Sequence, residues 1–245
     1  MTLRKQDIVI DSGKNFARQR SSDFYKLYYQ YNRVFLGLLL DKVDKKSITL
    51  ADYGGGNGIV AESILKNRRL KDKKCTIDII DIDHSKLVVR KNIAFINKDA
   101  LDYQRKNHYD YALSRFLVHY FDKKELEMFM VKVYNNLKPH SYFLLINWVQ
   151  DTTDGYTKKR KILDIIEQEK NIACRTIPTT TLLTEIAKKV GFTIAAVKKV
   201  RYNISINDFY KHRFKLSAVT SARIIKKIGI ARHQEQQIAL LLKKS

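Results

Sequence analysis

The chain has 245 residues, 44% of them hydrophobic, and its 47 Lys and Arg outnumber its 25 Asp and Glu, which gives a formal net charge of +22. This composition excludes a mainly disordered chain, because burial of so many apolar side chains can offset the entropy lost on ordering. No apolar run approaches the roughly 20 residues that cross a bilayer, and no secretory signal follows the N-terminus. The two cysteines, Cys75 and Cys174, form neither a disulfide framework nor a metal-type spacing. We therefore expect a cytoplasmic protein without a metal site.

The positive charge is concentrated in the last third of the chain. Residues 151–245 carry 20 basic and 8 acidic residues, a net charge of +12, whereas residues 51–150 carry a net charge of only +5. Such a field favours polyanions or anionic substrates. The basic clusters are residues 198–201, 211–215 and 223–227. They are interpreted either as a surface that binds a polyanion such as RNA or as an ordinary solvated helical surface, and the sequence leaves both interpretations open.

Hydrophobic periodicity predicts that helices and strands alternate through the first two thirds of the chain. Short β-rich segments separated by helical patterns are typical of a parallel sheet that helices cover on both faces. The near-continuous apolar strands fit burial on both sides. The predicted strands are residues 48–53, 75–82, 93–97, 109–114 and 141–149. The predicted helices in this part are residues 21–43, 59–65 and 123–137.

A more polar region follows the last of these strands. We predict helices over residues 158–170 and 180–190, an extended segment from residue 192, and a mainly helical stretch over residues 207–243. Within that stretch, Gln234 to Leu242 is expected to be helical. With no repeat and no low-complexity linker, residues 1–245 are interpreted as one domain. It would consist of an N-terminal helical lid (1–46), a core (47–150) and a basic C-terminal helical extension (151–245).

A glycine cluster after the first predicted strand is the main chemical signal. Asp52-Tyr53 is followed by Gly54-Gly55-Gly56-Asn57-Gly58, and a helix begins immediately afterwards. Glycines let a backbone turn sharply and approach a ligand closely, and ligands bind at the carboxyl ends of parallel strands. The spacing is G-x-G-x-G with an acidic residue two positions before the first glycine. It lacks the third glycine of the dinucleotide motif, where Ile59 stands, which argues against an NAD enzyme.

This string resembles motif I of the class I S-adenosylmethionine-dependent methyltransferases, and four later positions or segments match that family in order. Asp81 matches the acid that holds both ribose hydroxyls, and Asp99 matches the residue at the adenine edge. The segment Tyr109–Asp122 resembles the fourth strand and its loop, and Asn136–Tyr142 resembles the turn into the fifth strand. The resemblance implies a Rossmann-like fold and S-adenosylmethionine as cofactor. The cofactor-binding residues that it implies are Asp52, Gly54, Gly55, Gly56, Asn57, Gly58, Asp81, Ile82, Asp99, Ala100, Ser114 and Arg115.

Five further residues are candidates for the acceptor side of the site. His119 is interpreted as a base or acceptor-orienting group, with packing as the alternative, and Tyr28 is the second catalytic candidate, on the predicted lid. Arg33 on the lid, and Asn147 and Trp148 at the end of the fifth strand, are candidate substrate-binding residues. Because methyl transfer is an in-line displacement, positioning supplies much of the acceleration, and a general base is needed only for a protonated acceptor.

Three functions follow from these observations. The first is methyl transfer to a small molecule held under the lid. The second is methylation of RNA, gripped by the basic C-terminal third. The third is a non-catalytic binding or partner subunit with the same fold. The intact glycine loop, Asp81 and Asp99 argue against the third.

Overall fold

The computed structural model describes residues 31–83, 91–170, 176–205, 216–229 and 231–245. The described helices are α1 (Tyr31–Leu40), α2 (Ile59–Leu65), α3 (Lys123–Asn136), α4 (Thr153–Lys170), α5 (Thr180–Val190) and α6 (Ala218–Ile228). The described strands are β1 (Ser47–Tyr53), β2 (Lys74–Asp81), β3 (Ile93–Asn97), β4 (Tyr109–Arg115), β5 (Leu137–Val149), β6 (Phe192–Ser205) and β7 (Arg232–Lys244).

The described strands form one seven-stranded sheet in the order β3-β2-β1-β4-β5-β7-β6. The first five strands are parallel, and β7 runs antiparallel to both β5 and β6. The strand order reverses between β1 and β4, where Tyr53 lies beside both Ile80 of β2 and Ser114 of β4. This reversal creates a crevice at the carboxyl ends of the strands, which is the usual ligand position in open α/β sheets.

Apolar side chains fill the space on both faces of the sheet. Along β5, Phe143 and Leu145 belong to the cluster that includes α3 and α5, whereas Leu144 and Ile146 belong to the cluster that includes α1, α2, α4 and α6. All four side chains are fully buried. The alternation follows from the two-residue period of a strand, so each face of β5 supports one helical layer.

Local sequence signals set the ends of several helices. Asp122 accepts a hydrogen bond from the Glu125 amide while the Glu125 side chain accepts one from the Asp122 amide, which closes a capping box at the start of α3. Thr179 caps α5 through the Leu182 amide, and Gly191 ends that helix with a φ of 109°. These contacts explain why the predicted bounds of α3 and α5 agree with the observed ones to within one residue.

The predicted fold class is confirmed: a mostly parallel, Rossmann-like sheet with helices on both faces. Each strand predicted before residue 150 is present, although β5 begins four residues earlier, at Leu137. Helix α4 also begins earlier than predicted, at Thr153. The extended segment after Gly191 is β6.

The prediction of a helix from Gln234 to Leu242 is wrong, because these residues belong to β7. The segment is rich in Gln, Ala and Leu, which are good helix formers. Its side chains from Ile238 to Leu242 are at most 1% exposed between β5 and β6, so pairing on both sides overrides the local preference. The C-terminal third therefore contains the strands β6 and β7 beside the helices α4, α5 and α6, and the last antiparallel strand of the fold is present.

The N-terminal prediction is only partly covered by the structure. Helix α1 ends at Leu40 instead of residue 43, and Phe35 and Leu39 are fully buried in the core. Residues 1–30 lie outside the described part, so the lid over residues 1–46 stays a prediction. No helix in the described ranges is both long enough and apolar enough to cross a membrane.

Candidate functional site

The glycine loop between β1 and α2 turns through three left-handed residues. Gly54, Gly56 and Gly58 have φ values of 71°, 55° and 77°. Gly55 is required for a different reason: a Cβ there would lie 2.7 Å from Asp52 Oδ2 and 2.9 Å from Ile79 Cγ2. A Cβ on Gly56 would meet no atom within 4 Å. The loop is thus packed against the sheet at Gly55 and open on its outer side at Gly56.

Asp81, at the end of β2, fixes the position of this loop. Its Oδ2 accepts a hydrogen bond of 2.8 Å from the Gly56 amide, and its Oδ1 accepts one of 2.9 Å from the Asp83 amide. Burial raises the pKa of Asp81, while these amide donors counteract the shift. Each carboxylate oxygen has two lone pairs, so Asp81 retains acceptor capacity for hydroxyl groups of a ligand.

A cleft of about 650 Å³ opens beside the loop and the ends of β2, β3 and β4, and we call it the glycine-loop cleft. Its lining residues are Gly54, Ile80, Asp81, Ile82, Asp99, Ala100, Phe116, Leu117, Tyr120 and Phe121. Asp99 Oδ1 also accepts from the Leu101 amide at 2.9 Å, which holds its carboxylate. Five residues predicted to bind a cofactor therefore share one cleft, alongside apolar and aromatic residues that the sequence did not indicate.

The remaining cofactor candidates lie around the cleft. Asn57 Oδ1 accepts from the Ile59 amide at 3.3 Å, and Gly58 is the N-cap of α2. The Ser114 side chain is fully buried within β4 and does not line the cleft. Arg115 is half-buried, with its guanidinium 5.5 Å from the Phe116 ring centroid. Phe116 has a φ of 54°, a strained left-handed conformation at the edge of the cleft.

Asp52 lies beneath the loop and is only 2% exposed. Its Oδ2 has no hydrogen-bond partner in the described structure. Burial raises the pKa of Asp52 to about 7, and Asp81 adds to the shift while Arg115 opposes it. A buried carboxylate oxygen without a hydrogen-bond partner, beneath a loop that borders a ligand cleft, is typical of a functional site.

A second cavity, of about 330 Å³, lies where β5 ends, and we call it the His119–Trp148 cavity. Its lining residues are His119, Trp148, Val149, Gln150, Lys159, Leu163, Thr176, Ile177, Pro178 and Glu235. The short 3-10 helix Val118–Tyr120 connects the two spaces, because Tyr120 lines the glycine-loop cleft and His119 lines this cavity.

His119 is held by aromatic and polar neighbours. Its ring stacks on Trp148, with centroids 5.2 Å apart and an interplanar angle of 18°. Its Nδ1 lies 3.4 Å from Asn147 Oδ1. A proton on Nδ1 that is donated to this carbonyl oxygen makes Nε2 the basic nitrogen. Asn147 itself is fully buried and donates to the Trp148 carbonyl oxygen at 2.9 Å, so it positions His119 and does not line the cavity.

A buried charged cluster that the sequence did not indicate forms one wall of the same cavity. Lys159 of α4 and Glu235 of β7 form an ion pair, and each side chain is 3% exposed. Glu235 also lies 3.3 Å from His233 Nε2, and the Lys159 ammonium lies 4.4 Å from the centre of the Trp148 ring. A signal was available: Glu235 is one of only three acidic residues in 170–245. It lies in a polar stretch, three residues before the apolar run that begins at Ile238.

Two lid candidates are not placed by the structure. Tyr28 lies outside the described residues, and only the backbone of Arg33, in α1, is described. The described residues also contain no group of three or more His, Cys, Asp or Glu side chains that could hold a metal ion.

Comparisons with known proteins bear on the whole arrangement. Residues 24–197 match the model of a family described as a methyltransferase domain. No curated protein sequence matches the chain.

Solved structures are similar in fold. The YcgJ protein of Bacillus subtilis superposes with a TM-score of 0.70 and 14% identity over 86% of this chain and 98% of its own. Cyclopropane synthase MmaA2 of Mycobacterium tuberculosis superposes with a TM-score of 0.61 and 14% identity, over 92% of this chain and 88% of its own. A third similar structure is a phosphoethanolamine N-methyltransferase of Haemonchus contortus, in complex with phosphomonomethylethanolamine and S-adenosylhomocysteine. It superposes with a TM-score of 0.56 and 15% identity, over 89% of this chain and 53% of its own. At such identities the likeness shows the fold alone.

Proposed function

This chain belongs to the family of class I S-adenosylmethionine-dependent methyltransferases, and from that premise we propose that it transfers a methyl group from S-adenosylmethionine to a small-molecule acceptor. One observation carries the proposal. The consecutive residues His119 and Tyr120 line two neighbouring spaces. Tyr120 lines the glycine-loop cleft, which has the features of a cofactor site, and His119 lines the largely apolar His119–Trp148 cavity. A methyl donor and its acceptor need this side-by-side arrangement, because the transfer is an in-line displacement.

The residues of the glycine-loop cleft fit the cofactor. The open space beside Gly56 allows close approach to the backbone, and Asp81 keeps acceptor capacity for a ribose diol. Asp99 would accept from the adenine edge, and Phe116 and Tyr120 would exclude water from its faces. When bound, S-adenosylmethionine supplies an activated methyl group on a positively charged sulfur.

The acceptor would occupy the His119–Trp148 cavity. Stacking on Trp148 and the contact with Asn147 fix the orientation of the His119 ring. Its Nε2 would take the proton from an acceptor that arrives protonated, and would only orient one that does not. The Haemonchus contortus relative also has a small molecule as its bound partner. That similarity supports a small acceptor.

RNA is the second candidate acceptor. It is favoured by exposed basic side chains on two C-terminal elements, namely Lys198 on β6 and Arg223, Lys226 and Lys227 on α6. Against it, neighbouring Lys199 is engaged in an ion pair of 2.9 Å with Asp151.

Two measurements test the proposal. Thermal denaturation should show that S-adenosylmethionine and S-adenosylhomocysteine both stabilise the protein, by about 2.7 kcal/mol at 100 times the Kd. No stabilisation of well-folded protein by either ligand would refute cofactor binding. Methyl-labelled S-adenosylmethionine should then be incubated with the protein and a cell extract. Label in the small-molecule fraction is expected, whereas label confined to RNA would replace the first acceptor class with the second.

A further inference from the structure

A third space in the described structure is lined entirely by polar residues and glycine. This cavity of about 680 Å³, which we call the polar cavity, lies between the start of α4 and the ends of β6 and β7. Its lining residues are Gln150, Thr152, Asp154, Gly155, Lys158, Asn203, Arg232, His233 and Gln234. We propose that it binds an anionic group of the methyl acceptor, a phosphate or a carboxylate, and this inference rests on the proposed function.

The position of the polar cavity supports this role. Gln150 lines both the polar cavity and the His119–Trp148 cavity, so the two spaces share a wall. The second space is mainly apolar, with Leu163, Ile177 and Pro178 among its lining residues. Gln150 is buried between the two spaces and donates to Glu235 at 3.4 Å. An acceptor that displaced this side chain would meet an apolar environment beside His119 and a polar one beyond Gln150. The acceptor that fits this combination has a methyl-accepting part and, several atoms away, a charged group.

The charged side chains on the cavity wall favour an anion by one unit of charge, because Asp154 balances one of the two cations. Arg232 and Lys158 contribute two cations, and Arg232 Nη2 donates to the Asn203 carbonyl oxygen at 2.9 Å, which orients the guanidinium. Asp154 is the one acidic lining residue and lies 2.7 Å from Lys158 Nζ. Guanidinium and ammonium groups are the usual protein partners of phosphate and carboxylate oxygens.

The neighbouring Glu235 does not cancel this field. Its carboxylate is buried against the Lys159 ammonium and lies 3.3 Å from His233 Nε2. It is also absent from the polar lining. Its charge is thus balanced within its own cluster, and the polar cavity retains an excess of positive charge.

Direct titration with inorganic phosphate and with acetate, followed by NMR at about 0.15 M ionic strength, tests the proposal without knowledge of the acceptor. Arg232→Gln and Lys158→Gln should each weaken binding of the preferred anion by about tenfold, because each removes a charged hydrogen-bond donor. Arg223→Gln and Lys226→Gln on α6 are the matched controls, since each removes the same charge outside the cavity, and they should leave binding unchanged. Tighter phosphate binding indicates a phosphate ester as acceptor, and tighter acetate binding a carboxylate.

Three results would overturn the inference: no binding of either anion, equal losses in the cavity and control variants, or loss of binding only in the controls. All four substituted side chains are at least partly exposed, so the variants should fold, and melting temperatures check this. S-Adenosylhomocysteine binding is measured on the same samples. Cofactor binding without anion binding refutes only this inference. Anion binding without cofactor binding refutes the proposed function, and with it the assignment of the bound anion to a methyl acceptor.

Discussion

Lys159 and Glu235, 76 positions apart in sequence, form an ion pair that is almost completely shielded from solvent. Burial alone would raise the pKa of Glu235, but the Lys159 ammonium and His233 hold it well below its ordinary value. The carboxylate therefore stays ionised in the wall of the His119–Trp148 cavity. Desolvation of two charges is costly, so a buried pair of this kind is not a simple source of stability.

Removing one member of this pair should cost more than removing both. Lys159→Met leaves an uncompensated buried carboxylate, and we expect a loss of about 3–5 kcal/mol in unfolding free energy. Adding Glu235→Gln to Lys159→Met should recover part of that loss. Urea denaturation of the two single variants and the double variant measures the coupling. Additive losses in the double variant would show that the two side chains act independently.

Alanine at Gly56 should separate backbone strain from ligand contact. A Cβ at Gly56 meets no protein atom, and the same is true at Gly229, which has a φ of 77° and lies after α6. Both Gly→Ala variants should lose about 1–2 kcal/mol of stability from left-handed strain. Only Gly56→Ala should also weaken S-adenosylhomocysteine binding, because the added methyl group would keep the ligand from the backbone. We expect the Kd to rise by about tenfold or more. Calorimetric titration measures the affinity of both variants for S-adenosylhomocysteine. Equal affinities in the two variants would show that Gly56 does not belong to the cofactor site.

Asp52 should make the ligand-free protein less stable as pH rises. Its folded pKa of about 7 lies above its ordinary value of 3.8, so the folded state binds the proton that the unfolded chain has already released. The contribution of Asp52 to the free energy of unfolding is therefore largest below about pH 4. It declines by at most about 1.4 kcal/mol per pH unit up to about pH 7, and then levels off. Asp52→Asn should remove this decline. Urea denaturation at pH 5, 6, 7 and 8 tests it, with exposed Asp72→Asn as the control, and an unchanged slope in Asp52→Asn would contradict the assignment.

Substitutions at His119 and Tyr120 should affect different steps. Tyr120→Leu alters the glycine-loop cleft and should weaken S-adenosylhomocysteine binding, because an aromatic wall is lost. His119→Asn alters the neighbouring cavity and should leave that binding unchanged while lowering methyl transfer by about 10²–10⁴-fold if the acceptor arrives protonated. Titration calorimetry and single-turnover transfer measure the two effects. If His119→Asn weakened S-adenosylhomocysteine binding and Tyr120→Leu affected only methyl transfer, the assignments of the two spaces would be exchanged.

The grouping of residues at the proposed cofactor site could be predicted because its determinants are local. The glycine loop follows β1, Asp81 ends β2, and Asp99 lies two residues beyond β3, and parallel strands bring their carboxyl ends to one edge. The burial of Ser114 could not be predicted in the same way. Apolar residues surround it in a strand buried on both faces, so no alternation indicates which way its side chain points.

The acceptor side depends on contacts between distant segments. The sequence places Lys159 only within the predicted helix over residues 158–170, and it places Glu235 in a predicted helix where the structure has β7. Residues 232–244 form a strand because they pair with both β5 and β6, whose edges would otherwise lack partners. Local propensity does not indicate such pairing between distant segments. A single error in one segment thus hid the charged wall of the cavity.

The antiparallel direction of β7 has a consequence for synthesis of the protein. Because β7 runs against β5, its first residues, His233 and Glu235, reach the edge where the parallel strands end. A nascent chain that has emerged only as far as Val149 contains β1 to β5 and the glycine loop, but it lacks Glu235 and both cations of the polar cavity. The ribosome thus synthesises the parts of the proposed acceptor site that lie on α4 and β7 only after the glycine loop and all five parallel strands.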